Sequence, residues 1–276
     1  MKFQPTPTKE FAIENNIRVL QPAKIKNNEE FLNEIRELKP DIIVVVAYGK
    51  ILPKELLEIP KYGCMNVHGS LLPKYRGAAP IQWAIINGEK VTGITTMKMD
   101  VGMDTGDMYL KDEVTIDRED TYGTLYEKLK KVGAKLASET LECIVEGTCK
   151  PKKQGDEFSV APMIFKENCK IDYLKSAHAI ENLVRGVNPA PGAWTVLDDK
   201  VYKIWKAVEV QDDEFEGVNE KLAPGTVLES NSKKGLFVAT ASGILSIEEI
   251  QAPNSKRLNI LDFLRGNKIE VGKVFE

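Results

Sequence analysis

The chain reads as an α/β protein: an open, mostly parallel sheet flanked by helices, followed by a small β-barrel. Three observations predict this. Strand-like and helix-like segments alternate from residue 17 to residue 146. Residues 41–47 (Asp-Ile-Ile-Val-Val-Val-Ala) form a β-branched run of the kind found in strands buried on both faces. After Gly147 the pattern changes to short alternating segments separated by turn residues.

The elements follow in order. Residues 17–22 read as a short strand ended by Pro22. Asn27 or Asn28 caps a helix running to about Leu38, with Phe31, Leu32, Ile35 and Leu38 on one face and Pro40 as its stop. Residues 41–47 are a strand, 53–59 a short helix and 63–67 a further strand. Residues 78–87 form a helix between Gly77 and Gly88, 91–99 and 109–116 are strands, and 121–146 is a long amphipathic helix. Residues 150–156 (Lys-Pro-Lys-Lys-Gln-Gly-Asp) are polar and rich in breakers, as a linker is. A helix over 176–185 then precedes strands at 194–197, 201–210, 225–228, 236–240 and 244–250. The domains are therefore expected at 1–149 and 164–276, joined by a linker at 150–163.

Composition narrows the function. With 276 residues, 42% of them hydrophobic, the chain can bury one large core or two ordinary ones. A formal charge of −3 excludes a broadly basic nucleic-acid coat but leaves room for a local basic patch. Cys64, Cys143, Cys149 and Cys169 form no C-x-x-C pair and the chain has two His, so a Cys/His zinc site is not expected. Scattered cysteines in a chain of this length read as reduced thiols of a cytoplasmic protein. No stretch approaches a membrane span, and the opening Met1-Lys2-Phe3-Gln4-Pro5-Thr6-Pro7 lacks the apolar region of a secretory signal.

The densest polar signal is Asn66-Val67-His68-Gly69-Ser70-Leu71-Leu72-Pro73-Lys74-Tyr75-Arg76-Gly77-Ala78-Ala79-Pro80. Asn66 and His68, two apart at a strand end, point to the same face. Open α/β sheets bind ligands outside the carboxyl ends of their strands, so an amide and an imidazole stand at the expected mouth. Spacing alone leaves a structural histidine beside a turn asparagine equally open. A second loop, Asp100-Val101-Gly102-Met103-Asp104-Thr105-Gly106-Asp107, is tight and acidic. A carboxylate from it that reached His68 would orient the ring and favour its protonated form. The spacing does not match the twelve-residue calcium loop, and an ordinary turn remains open for Asp100 and Asp107.

Taken together, Asn-Val-His-Gly-Ser-Leu-Leu-Pro and Asp-Val-Gly-Met-Asp-Thr-Gly resemble the formyltransferases that use 10-formyltetrahydrofolate. Residues 74–82, the run from Lys170-Ile171-Asp172-Tyr173 to Asn188-Pro189-Ala190-Pro191-Gly192-Ala193-Trp194, and residues 261–266 are similar to the branch of that family that formylates methionine-charged initiator tRNA. The likeness covers nearly the whole chain. It implies a Rossmann-like formyltransferase sheet and an oligonucleotide-binding-like (OB-like) barrel that grips tRNA. Asn66 would stabilise the tetrahedral oxyanion, His68 would polarise the formyl oxygen and move protons, and Asp104 would position His68, with a bound water. No metal and no covalent enzyme intermediate are needed. The resemblance places the folate against Ala47, Tyr48, Gly49, Lys50, Ile51 and Leu52, and against Asp100, Val101, Gly102, Met103 and Thr105. Ser70, Leu71, Leu72 and Pro73 would shape the pocket wall, although Leu71 and Leu72 read more readily as core.

For the tRNA, Lys74 and Arg76 flank the mouth and are the first candidates for phosphate contacts. Lys150, Lys152, Lys153, Lys203, Lys206, Lys256 and Arg257 would extend a discontinuous basic path. Residues 164–276 hold 15 Lys/Arg against 17 Asp/Glu, so a tRNA surface there requires segregated charge. His178 reads as structural.

One departure stands out. By resemblance, the family opens with a strand, a helix, a second strand and a basic loop. About forty such residues are absent here, which would remove the two middle strands of a sheet ordered 3-2-1-4-5. The sheet is then incomplete, and the strand at 41–47 becomes an exposed apolar edge that favours self-association. Competing functions are formylation of a sugar-nucleotide amine and a non-catalytic folate- or RNA-binding remnant. The extra residues 164–276 argue against a glycinamide ribonucleotide acceptor.

Overall fold

The computed structural model describes residues 5–210 and 222–276. Residues 1–4 of the opening stretch lie outside them. The chain begins with helix α1 (Pro7–Glu14), where Thr6 caps the N-terminus and Pro7 supplies the first turn. No strand forms at 17–22, contrary to the sequence reading. A strand needs a neighbour to pair its main-chain groups, and among the described residues none pairs with this segment. Helix α2 (Glu29–Leu38) starts where Asn28 Oδ1 accepts the N–H of Phe31 at 3.1 Å.

Strands β1 (Ile43–Val46), β2 (Cys64–His68), β3 (Val91–Lys98) and β4 (Met108–Thr115) form one sheet in that order. Helix α3 (Lys54–Leu57) joins the first two and α4 (Pro80–Ile86) the next two. The sheet is mixed rather than mostly parallel: β1 and β2 run together, while β2–β3 and β3–β4 are antiparallel. The short connection over 99–107 turns β4 straight back on β3, and such a return is antiparallel. Among the described residues β1 pairs with β2 alone, the free edge the sequence predicts, and it exposes Val44 and Val46 (40% and 61%), so it is not buried on both faces as its β-branched run suggests.

Helix α5 (Tyr122–Glu146) opens with a reciprocal Thr121–Thr124 capping box and covers the sheet with Leu125, Leu129 and Leu136 against Ile94. Beyond it the chain doubles back and brings Cys143 and Cys149 side by side, with Cα atoms 5.2 Å apart. Cys64 and Cys169 are free and buried. The helix end at Gly147 sets the pair face to face, which spacing in sequence does not reveal.

Residues 150–163, expected as a linker, are held against the preceding unit. Lys152 pairs with Met108 and Val160 with Arg76, so main-chain bonds dock this polar segment over the first sheet.

The second unit carries α6 (Ala177–Gly186), β5 (Ala193–Leu197), β6 (Lys200–Val210), β7 (Val227–Asn231), β8 (Gly235–Ala239), β9 (Ile244–Gln251), β10 (Leu258–Asn259) and α7 (Ile260–Gly266). Its sheet runs β5-β6-β9-β8-β7, with β10 on β9 and every pairing antiparallel. Among the described residues it is not a closed barrel. The C-terminal residues bridge its edges instead: Glu276 exchanges main-chain bonds with Val196 of β5, and Val227 of β7 bonds to Lys273 and Gly272. The core of this unit includes Ile204, Leu236, Leu245 and Ile247. Helix α6 joins the two units by packing on α4, and Arg185 Nη1 donates to the Asp120 carbonyl at 3.1 Å. No helix among the described residues is long and apolar enough to cross a membrane.

Candidate active site

Alternation along β2 turns Asn66 and His68 to one face, as the spacing predicts. The parallel register Val46 with Val67 brings the loop after β1 beside His68. β3 runs the other way, and the N–H of Met99 bonds the Cys64 carbonyl, at the far end of β2. The loop 99–107 must therefore fold back along the sheet to deliver Asp104. It does so: Asp104 Oδ1 lies 3.5 Å from Asn66 Nδ2, and Oδ2 lies 3.6 Å from His68 Nδ1. The imidazole is almost fully buried and the carboxylate nearly so.

The other His68 nitrogen fixes the tautomer. Nε2 lies 2.9 Å from the Tyr75 carbonyl, which only accepts, so Nε2 carries a proton and donates. Nδ1, facing Asp104, is left as the site where a proton enters or leaves. Tyr75 adopts a left-handed backbone (φ 61°) that aims this carbonyl, and its N–H donates to Ser159 Oγ at 2.9 Å. Its hydroxyl bonds Glu89 and Asn87, and burial pushes the phenol up to about 12. Cys64, further along β2, is buried and its thiol is pushed up to about 11, so it is a poor nucleophile.

The structure sorts the residues expected to bind folate. Ala47, Tyr48, Gly49, Lys50 and Ile51 are exposed after β1, whereas Leu52 is in the core with Ile25, Leu32 and Val45. Ser70 and Leu72 have no exposed surface, and their main-chain atoms bond Thr95 Oγ1. Leu71 and Pro73 are half-buried, with a cis bond before Pro73. In the second loop, Asp100 Oδ1 accepts from Gly102 N–H and the Thr105 hydroxyl, while Val101 and Met103 are exposed.

The basic residues divide. Arg76 is half-buried, stacked 4.6 Å from the Phe158 ring; Lys74 is exposed with Glu89 at 4.0 Å. Lys150, Lys152 and Lys153 are exposed, and the pairing of Lys152 with Met108 sets them beside the end of the acidic loop. Lys203 and Arg257 both lie against the Trp205 ring, at 5.1 Å and 5.4 Å, on the second sheet. Lys206 is bound to Glu248 at 2.6 Å, and Lys256 is exposed. His178, read as structural, is exposed, with Nδ1 3.3 Å from Glu209 Oε2. With Glu181 it offers ligand atoms within 4.8 Å of one another, but Glu181 already accepts the Glu209 N–H.

Sequence reasoning missed Tyr75, Gly77, Gln154 and Ser159. Each acts through a main-chain atom, its own for Tyr75 and Gly77 and another loop's for Gln154 and Ser159, and pattern carries no signal for that. What remains is a two-unit α/β protein with an amide, an imidazole and a carboxylate gathered at one site, a constellation suited to acyl-type group transfer without a side-chain nucleophile.

The comparisons with known proteins place it more closely. A family model described as "Formyl transferase" matches residues 2–141, and one described as "Formyl transferase, C-terminal domain" matches residues 163–268. The chain is 52% identical to the methionyl-tRNA formyltransferase of Clostridioides difficile over 274 residues, covering 99% of this chain and 86% of that one. It is 50% identical to the protein of the same name from Caldanaerobacter subterraneus, covering 100% and 87%. Among solved structures, the N-formyltransferase of Helicobacter canadensis, in complex with folinic acid and dTDP-3-aminofucose, superposes with a TM-score of 0.65 at 24% identity, covering 88% and 82%. The chain belongs to the formyl transferase family, in both its N-terminal and C-terminal domains.

Proposed function

We propose that this protein transfers the formyl group of 10-formyltetrahydrofolate to the amino group of methionine-charged initiator tRNA, in translation initiation. The observation that carries the reading is the meeting of Asn66, His68 and Asp104. The amine attacks the formyl carbon, a new C–N bond forms, and the carbonyl oxygen takes on charge. One hydrogen of the Asn66 amide faces Asp104, leaving the other for that oxygen. Nδ1 of His68 takes up the proton shed by the amine, directly or through a water, and the carboxylate of Asp104 stabilises the imidazolium. The proton passes to the folate nitrogen as its C–N bond breaks. Water activation by a metal has no part in this scheme.

The exposed loop after β1 and the acidic loop would hold the folate, with the 70–73 turn as wall. Lys74, Arg76 and Lys150 to Lys153 would engage the acceptor-arm phosphates, with Lys203 and Arg257 beside Trp205 as a second contact. The free edge of β1 would join two copies of this chain, which sedimentation of the purified protein tests.

The rival acceptor is a sugar-nucleotide amine. Identity of about half to tRNA-formylating relatives, against 24% to the sugar enzyme, supports the tRNA. Offering methionyl-tRNA and dTDP-3-aminofucose in parallel with 10-formyltetrahydrofolate decides: formyl-methionine alone is expected, and formylation of the sugar alone overturns the reading.

A further inference from the structure

Gln154 lies in the segment that composition reads as a linker. Its amide is fully engaged. Nε2 donates to the Asp104 carbonyl at 2.7 Å and to the Gly106 carbonyl at 2.8 Å, and Oε1 accepts from Arg76 Nε at 2.9 Å. The loop it holds needs holding. Asp104 has a left-handed backbone (φ 54°), a conformation that L residues other than glycine rarely adopt. The same loop is folded back from the far end of β2 to reach Asn66 and His68. At the other end of the amide, Arg76 is stacked on Phe158 and main-chain bonded to Ser159 and Ala161.

We propose that Gln154 is a positioning residue for formyl transfer: its amide pins the loop that presents Asp104 and ties that loop to Arg76, so that engagement of the acceptor at Arg76 and proton handling at Asp104 share one strut. This rests on the formyl-transfer reading for its kinetic test, and on geometry alone for its structural one. The two halves of the amide are separable by chemistry. Gln154→Glu keeps an acceptor for Arg76 but loses both donors and sets a carboxylate against two carbonyl oxygens. Gln154→Ala removes everything.

The test compares the wild-type protein with both variants, each first checked for an unchanged melting temperature. Expected is a fall in kcat of about 10- to 100-fold in each, as misplacement of a catalytic group by an ångström produces, accompanied by a rise in KM for the folate, which the same loop holds. Wild-type kcat in Gln154→Glu would overturn the proposal, as would a loss confined to KM for the tRNA, which would make Gln154 a prop for Arg76 only. Hydrogen exchange of loop 99–107 in the unliganded protein supplies a readout that needs no acceptor. Faster exchange in both variants is expected. Exchange unchanged in either overturns the proposal even if the substrate has been misassigned.

Discussion

The carboxylate of Asp104 accepts the main-chain N–H of Gly77 at 2.8 Å, which locks the two polar loops of the site together. The same oxygen faces His68 Nδ1 at 3.6 Å. One side chain thus positions the imidazole and fixes the turn that follows Arg76. Removing it, or either of its two partners in chemistry, should cost rate rather than fold. Asn66→Ala, His68→Ala and Asp104→Ala are each expected to lower kcat for formyl transfer by about 10²- to 10³-fold, the usual size for an oxyanion donor or acid–base group. Steady-state kinetics beside circular dichroism checks this, and rates within threefold of wild type in all three would remove the assignment.

Gly77 has a φ of 124°, and a Cβ there would sit 2.6 Å from the Ala161 carbonyl oxygen. Neither the backbone nor that oxygen can yield easily, because Ala161 is itself bonded to Arg76 and Ala79. Gly77→Ala is expected to destabilise the protein by about 1–3 kcal/mol and to weaken transfer, since the N–H held by Asp104 moves. Urea unfolding with the activity assay reads both effects.

Much of this is legible in the sequence. The β-branched run at 41–47, the Asn28 cap and the amphipathic pattern of 121–146 each fall where local chemistry fixes an element. The alternation of Asn66 and His68 is legible in β2, and the resemblance to the formyltransferases is what selects Asp104 from the acidic loop. What is not legible depends on partners distant in sequence. The 17–22 segment has strand chemistry and no neighbour, the direction of β3 is set by how its connections close, and the strap at 150–163 docks by main-chain bonds that a polar composition hides. Helix α1 is missed although it carries a signal, a Thr-Pro start at residues 6–7.

Lys74 is exposed and Arg76 half-buried beside the site, and in the proposed function both engage the acceptor's phosphates. Replacing either by Ala should weaken tRNA binding and reduce the magnitude of the salt slope, log K against log salt, by about 0.7 to 0.9 for each phosphate no longer neutralised. Filter binding across a salt series measures it. An unaltered slope in both variants would move the tRNA surface elsewhere.

Asp120 joins the units: it is buried, and it is bonded to Lys128 at 2.5 Å, to the Asp117 N–H and to the Thr124 hydroxyl, while its carbonyl takes Arg185. Burial alone would raise its carboxyl, but Lys128 and the two other donors outweigh it and hold the carboxyl below the usual aspartate value. A depressed carboxyl stabilises the fold above its unfolded value of about 3.9 and loses that contribution as pH falls through the folded one. Asp120→Asn should therefore cost about 1–3 kcal/mol at neutral pH, with the gap to wild type closing in acid below about pH 4. Thermal melts from neutral to acid pH follow the gap; a gap that stayed constant would contradict the ion pair.

The central claim is that Asn66, His68 and Asp104 transfer a formyl group to a charged tRNA. It is tested most directly by incubating the purified 276-residue chain with 10-formyltetrahydrofolate and methionine-charged initiator tRNA, and measuring formyl-methionine with His68→Ala run alongside. Product from the wild-type chain and a collapse of its rate in the variant is the predicted result. Equal product from both, or none from the wild type under conditions where it binds folate and tRNA, would contradict it.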